Sequence, residues 1–304
     1  MKGHLCALQL EQLQAWVAAA IALEPGQLPT YVPLLAEAKP DRFSLCIQTV
    51  AGNSWQLGDR EEQFPVMSVI KPFLLLYLLS ELGKEAVLAR VGLEPSLLPF
   101  NSLEQLQQDQ GWPRNPMINS GAITLASLLP GDDPSSRCES LRAWLNALAQ
   151  AQLTLNEAML ASVRSLPNPR NQALVRELAA QNAISAPELA LDTYNQLCCL
   201  AGTTADLACL GLLLAAPLPP LRSPDCRLVK AVMLTCGLYK ASARFAVEAG
   251  LPTKSGVSGA VLAVVPGQGA IACYSPPLNE EGNSRVGLWF ISQIANELQL
   301  SVFE

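Results

Sequence analysis

The chain has 304 residues, a formal net charge of −6, half of its residues hydrophobic and only 15% charged. That length supplies a substantial core, and that composition excludes a disordered polyelectrolyte. The acidic balance, with no dense Lys/Arg block, excludes a nucleic-acid footprint.

From the N-terminus, residues 6–23 read as an amphipathic helix stopped by Pro25-Gly26. No basic segment of the kind that opens a secretory leader precedes its apolar stretch, so a cytoplasmic protein is expected. Residues 43–50 alternate as a strand, and Ala51-Gly52-Asn53-Ser54 turns it into a second strand over 55–58. The longest apolar run, 73–79, is far short of the roughly 20 residues that span a bilayer, so no membrane segment is expected. Asp133 with Pro134 opens a helix to about Gln150. Ser185-x-x-Glu188 has the capping-box spacing ahead of an apolar run through Leu200. Residues 203–215 form a further helix, closed by Pro217-Leu218-Pro219-Pro220. Residues 261–265 and 270–274 form a second hairpin around Pro266-Gly267-Gln268-Gly269, and a last helix covers 283–300. Strands at both ends and helices between them predict an α+β fold: an antiparallel sheet flanked by helices, with an all-helical subdomain inserted. The whole chain, 1–304, is expected to be one domain, its sheet part drawn from roughly 1–70 plus 226–304 and its helical part from roughly 71–225.

Nine cysteines, an odd number without a Cys-x-x-Cys pair, read as reduced core thiols. The single histidine, His4, leaves no Ser-His-Asp or Cys-His arrangement and no His-containing metal site. A nucleophile in this chain needs a base of another kind. Ser68-Val69-Ile70-Lys71 offers one, because residues three apart share a helix face and bring the amine to the hydroxyl. The buried helix that follows would dehydrate Lys71 and lower its pKa. Pro72 opposes this placement, since a residue before proline avoids the helical region. The alternative is a capping Ser68 with a solvated Lys71.

Two more segments carry chemistry. Asn115-Pro116-Met117-Ile118-Asn119-Ser120-Gly121-Ala122-Ile123 is a rigid turn leading into small residues. Lys254-Ser255-Gly256-Val257-Ser258-Gly259 is a cationic, glycine-rich loop. Together with Tyr31-Val32-Pro33-Leu34-Leu35-Ala36, Glu94-Pro95-Ser96, Phe100-Asn101, Gly237-Leu238-Tyr239, Ser275-Pro276-Pro277-Leu278 and Gly282-Asn283-Ser284, they closely resemble the serine-dependent glutaminases. The resemblance covers residues from about 26 to 300.

The resemblance implies the fold of serine β-lactamases and penicillin-binding proteins, hydrolysis of L-glutamine to L-glutamate and ammonia, no cofactor, no metal, and a homo-oligomer, dimer or tetramer. It implies Ser68 as nucleophile, Lys71 as its base and Tyr194 as a proton relay. The N–H groups of Ser68 and Val257 would form the oxyanion hole. Tyr31, Asn119, Asn171 and Tyr239, with Ser68, Tyr194 and Val257, would hold the substrate.

Two positions depart from the family pattern. Arg164 stands where the family has a glutamate that pairs with the substrate α-amino group. Facing an ammonium at about 4 Å, it would cost on the order of 4 kcal/mol. Three accounts fit: the loop is shifted and another acid such as Glu157 takes the place, the substrate lacks a free α-amino group or carries an acid where glutamine has its amine, or the chain is a weakly active or non-catalytic binding homologue. Ser258 replaces a glycine and is expected to crowd the pocket slightly.

Overall fold

The computed structural model describes residues 3–23 and 26–304. The central sheet has five antiparallel strands in the order β2-β1-β8-β7-β6. They are β1 (Ser44–Thr49), β2 (Ser54–Gly58), β6 (Thr253–Ser255), β7 (Ala260–Val265) and β8 (Gly269–Tyr274). A smaller sheet, β3-β5-β4, joins Phe64–Pro65, Leu200–Gly202 and Thr154–Leu155. Both expected hairpins are present, each strand starting within a residue of its expected position.

β1, β6, β7 and β8 are buried on both faces, and the runs of β7 and β8 are almost wholly apolar, whereas the edge strand β2 is largely exposed. Successive side chains alternate between the faces. Val261, Ala263, Ile271 and Cys273 pack with Leu13, Phe290, Ile291 and Ile294 of the terminal helices Leu10–Ile21 and Arg285–Glu297. Leu262, Val264, Ala270 and Ala272 pack with the helical middle of the chain. Helix Thr204–Ala215 lies flat on β1, β7 and β8, although it falls within the 71–225 range expected to be the helical insertion. Gly211 makes that contact possible, since a Cβ there would stand 2.4 Å from the Cβ of Ala270.

Several local expectations are corrected. The first helix begins at Leu10, after a separate turn at Leu5–Ala7, because Leu5 and Leu8 are each drawn into the core and Gln268 Oε1 holds the Leu5 N–H at 2.9 Å. Pro25 lies outside the described residues, and the helix ends at Ile21. Ser185 is no cap: Pro187 takes the first helical position and keeps Ala186 out of the helical region, at φ −129° and ψ 81°. That helix stops at Cys198, and Leu200, expected within it, is the first residue of β5. Asp133 does cap Pro134–Ala149, accepting the N–H groups of Ser135 and Ser136 at 2.8 and 2.9 Å. All nine cysteines are free, and Cys6 is exposed rather than in the core. Among the described residues no helix is long and apolar enough to cross a membrane.

Candidate active site

The small sheet aims the Ser68 segment. After Phe64–Pro65, the Val66 N–H bonds to Leu200 O at 2.7 Å, and the chain enters a single 3-10 turn, Met67–Ile70. Met67 carries φ +47°, a left-handed conformation that costs a bulky residue about 1–3 kcal/mol and that the surrounding packing must hold in place. The turn runs directly into helix Lys71–Leu82. Lys71 is helical at φ −59° and ψ −43° despite preceding proline. Pro72 sits in the first turn of the new helix, where a missing N–H costs nothing. Residues 73–79 are all buried, and so are Ser68 and Lys71, which rules out the solvated alternative.

Lys71 Nζ donates to Met117 O at 2.9 Å and to Asn119 Oδ1 at 2.8 Å. The Asn-Pro turn supplies both acceptors. Asn115 Oδ1 accepts the N–H groups of Met117 and Ile118, and Asn115 Nδ2 donates to Glu94 O. Helix Asn119–Ala126 then folds back so closely that a Cβ on Gly121 would sit 2.0 Å from Asn115 O. The small residues expected there are a packing requirement.

Asn119 is the hub of the cluster. Its Oδ1 also accepts from Tyr194 OH at 3.0 Å, and its Nδ2 donates to Asn171 Oδ1 at 2.9 Å. Tyr194 comes from helix Pro187–Cys198. Asn171 is delivered by the loop over 166–168, whose Asn168 caps helix Pro169–Ala180 by accepting the Asn171 N–H at 3.1 Å. Tyr239, at φ +55°, stacks on Phe100 with ring centroids 4.7 Å apart. Lys254 Nζ lies 4.4 Å from the centre of the Tyr239 ring and Lys71 Nζ 5.9 Å from it. The Ser68 side chain interacts with both Tyr194 and Tyr239.

Burial lowers Lys71 to about 7, with the Cys198 thiol acting weakly in the opposite direction. Lys254 is also fully buried. Burial first, and then repulsion from Lys71, hold it well below the usual lysine range. Burial raises Tyr194 well above the usual phenol value and pushes Tyr239 up to about 12. Two amines thus tend to neutrality between phenols that keep their protons.

Lys254 Nζ donates to Ser255 O at 2.6 Å, and Ser255 Oγ donates to Asn283 Oδ1 at 2.5 Å. Beyond them Gly256 packs on the Ser68 turn, where a Cβ would stand 2.7 Å from Val66 O. Neighbouring Val257 has an N–H that no acceptor among the described residues takes. Ser258 does not crowd the site, because its Oγ turns back to accept the Ala260 N–H at 3.4 Å.

Tyr31 lies at the edge of this buried group: it is 56% exposed, yet burial of its hydroxyl end, and then an electrostatic interaction with Tyr239, raise its pKa. Arg164 does not face the cluster. Its guanidinium forms a two-pronged pair with Asp192, Nε to Oδ1 at 2.9 Å and Nη2 to Oδ2 at 2.6 Å. Asp192 and Tyr194 are two residues apart on one helix, roughly 200° around its axis, so the arginine is held on the side away from Tyr194. Glu157 is exposed at the start of its own helix and supplies no replacement carboxylate. A surface cavity of about 770 Å³, lined by Arg227, Lys230, Gln268 and Ser301 among others, contains none of the cluster residues.

The sequence marked the segments that hold Lys254, Ser255 and Asn283 but gave these three residues no role. The available signal was Lys254 itself, a lone charge in the apolar stretch 249–265. Nothing in the sequence linked Asn283 to it.

Comparison with known proteins identifies the family and the fold. The glutaminase family profile matches residues 26–303. The glutaminase of Synechocystis sp. is 50% identical over 280 residues, 91% of this chain and 86% of the relative. That of Mesorhizobium japonicum is 35% identical over 97% of each chain. Among solved structures, a probable glutaminase, ybaS, superposes with a TM-score of 0.90 at 34% identity, over 98% of this chain and all of the other. The Bacillus subtilis probable glutaminase gives 0.85 at 32%, over 96% and 97%. The chain therefore belongs to the serine-dependent glutaminases, amidohydrolases of the serine β-lactamase-like fold.

Proposed function

We propose that the protein hydrolyses L-glutamine to L-glutamate and ammonia through an acyl-enzyme on Ser68. The observation that carries this reading is the bonding of Lys71. A neutral amine has two N–H groups and one lone pair. Met117 O and Asn119 Oδ1 take the two N–H groups, which leaves the lone pair to accept the Ser68 proton. Ser68 Oγ attacks the side-chain amide carbon, and the oxyanion forms against the N–H groups of Ser68 and Val257. The C–N bond then breaks as Lys71, or Tyr194 beside it, returns the proton to the leaving nitrogen. Water attacks the ester, Lys71 takes its proton, and glutamate leaves as Ser68 regains its hydrogen.

Ammonia release from L-glutamine by wild type and by Ser68→Ala tests this. Serine-dependent release is expected, and equal release by both proteins, or none by wild type, would overturn it. Self-association as a dimer or tetramer is an expectation of family membership that light scattering checks.

A second reading concerns the substrate's α-nitrogen. The buried residues around Lys71 are a second amine, Lys254, with phenols and amides, and Arg164 is tied to Asp192. Without a carboxylate to receive an ammonium, this pocket suits amides whose α-nitrogen is uncharged or missing. Comparing kcat/KM for L-glutamine with those for N-acetyl-L-glutamine and glutaramic acid decides it. A preference for L-glutamine of tenfold or more rejects this second reading.

A further inference from the structure

We propose that Asn283 is a positioning residue for this reaction, clamping the end of β6 from behind through the Ser255 hydroxyl. The proposal rests on the assignment of Ser68 and Lys71 above.

Asn283 is fully buried in the loop between β8 and the last helix. Its Oδ1 accepts the Ser255 proton at 2.5 Å. Its Nδ2 is buried as well and has no partner among the described residues. A buried donor without an acceptor is unfavourable, so the amide is retained for its oxygen. The loop holds that oxygen firmly. Asn283 N–H donates to Asn279 Oδ1 at 3.0 Å, Asn283 O accepts the Asn279 N–H at 2.8 Å, and Ser284 Oγ donates to Ser275 O at 3.0 Å.

Strand register shows which face is gripped. Ser255 pairs with Val261, on the face covered by the last helix, whereas Lys254 pairs with Leu262, on the face of the helical middle. Ser255 Oγ and Lys254 Nζ therefore leave the strand in opposite directions. What Ser255 contributes toward Lys71 is its main chain. Its carbonyl holds Lys254 Nζ at 2.6 Å, and the next two residues are Gly256, packed on the Ser68 turn, and Val257 with its untaken N–H. Asn283 thus fixes, through one hydroxyl, the carbonyl that aims Lys254 and the segment that presents Val257.

A double-mutant cycle on the full chain tests the clamp, using Asn283→Leu and Ser255→Ala. Three quantities are read: kcat, KM and hydrogen exchange over residues 253–257. Each single variant is expected to lower kcat by about 10–100-fold with KM within about threefold. The double variant should be no worse than the poorer single one, because both remove the same bond. Exchange over 253–257 should quicken about tenfold in all three while the other strands stay protected. Losses that multiply, or kcat and exchange within twofold of wild type in folded protein, would refute the clamp. If Asn283→Leu does not fold, Ser255→Ala alone decides by the same kcat and exchange criteria. A wild type that releases no ammonia refutes the proposed reaction, and exchange then judges the clamp by itself.

Discussion

The surface and the interior of this protein treat positive charge in opposite ways. On the surface, arginines meet carboxylates: Arg42 with Asp59 at 2.7 Å, Arg114 with Asp109 at 2.6 Å, and Arg164 with Asp192 at 2.6 Å. Inside, Lys71 and Lys254 are surrounded by carbonyls, amides and phenol rings. A carboxylate partner stabilises the protonated form, while dry neutral surroundings favour the free amine. Arginine keeps its proton everywhere, so the division of labour also follows residue type. These surface arginines are paired with carboxylates, whereas the two buried lysines bond to neutral oxygens.

Removing the interior amine gives the largest expected effect. Lys71→Met should lower kcat by about 10²–10⁴-fold, read as ammonia release. It should also raise Tm by roughly 2–6 °C at pH 7, because it removes a buried group that folding must neutralise. The sign follows from linkage. The folded value, about 7, lies below the unfolded 10.5, so the unfolded chain binds the extra proton between those values. The resulting destabilisation is absent above pH 10.5, grows as pH falls, and levels off below about 7. The Tm gain of Lys71→Met should therefore shrink between pH 7 and pH 10, and a constant gain would contradict the assignment.

Next comes the surface arrangement brought inside. Asn119→Asp places a carboxylate against Lys71 Nζ and should raise the lysine by about 1–3 pH units. The acid limb of the rate profile moves up with it, and kcat at pH 7 falls about 10–100-fold, with partial recovery at pH 9. In wild type, that limb should lie near pH 7, with kcat/KM falling about tenfold per unit below it.

The smallest effect is expected from the surface pair. Arg164→Ala should change stability by about 0–1 kcal/mol and KM for glutamine by less than about threefold, measured by denaturant melts and initial rates. A tenfold change in KM would mean that the guanidinium leaves Asp192 and enters the pocket.

Much of this arrangement was legible in the chain itself. Strand alternation located the sheet, and the Ser68-x-x-Lys71 spacing, the apolar run behind it and the Asn115-Pro116 turn located the cluster. These features are local and carry their own periodicity. What was hidden depends on partners distant in sequence. Leu200 leaves its helix for a strand because Leu155 pairs with it while Pro65 and Thr154 pair with its neighbour Ala201. Arg164 turns outward because Asp192, 28 residues away, outcompetes the pocket for it. Asn283 joins the cluster only when β6 and the loop after β8 come together. Pro72 shows the reverse case, a correct local preference overruled by the junction of two helix types.

The contact of Gly256 with Val66 has its own consequence. No side chain fits between them, so the strand end and the Ser68 turn are joined as two touching pieces of main chain. The approach of the Ser68 amide to the Val257 amide is thereby limited by a main-chain contact, in addition to the side-chain bond that holds the end of β6. A single methyl, introduced as Gly256→Ala, would wedge the two amides apart.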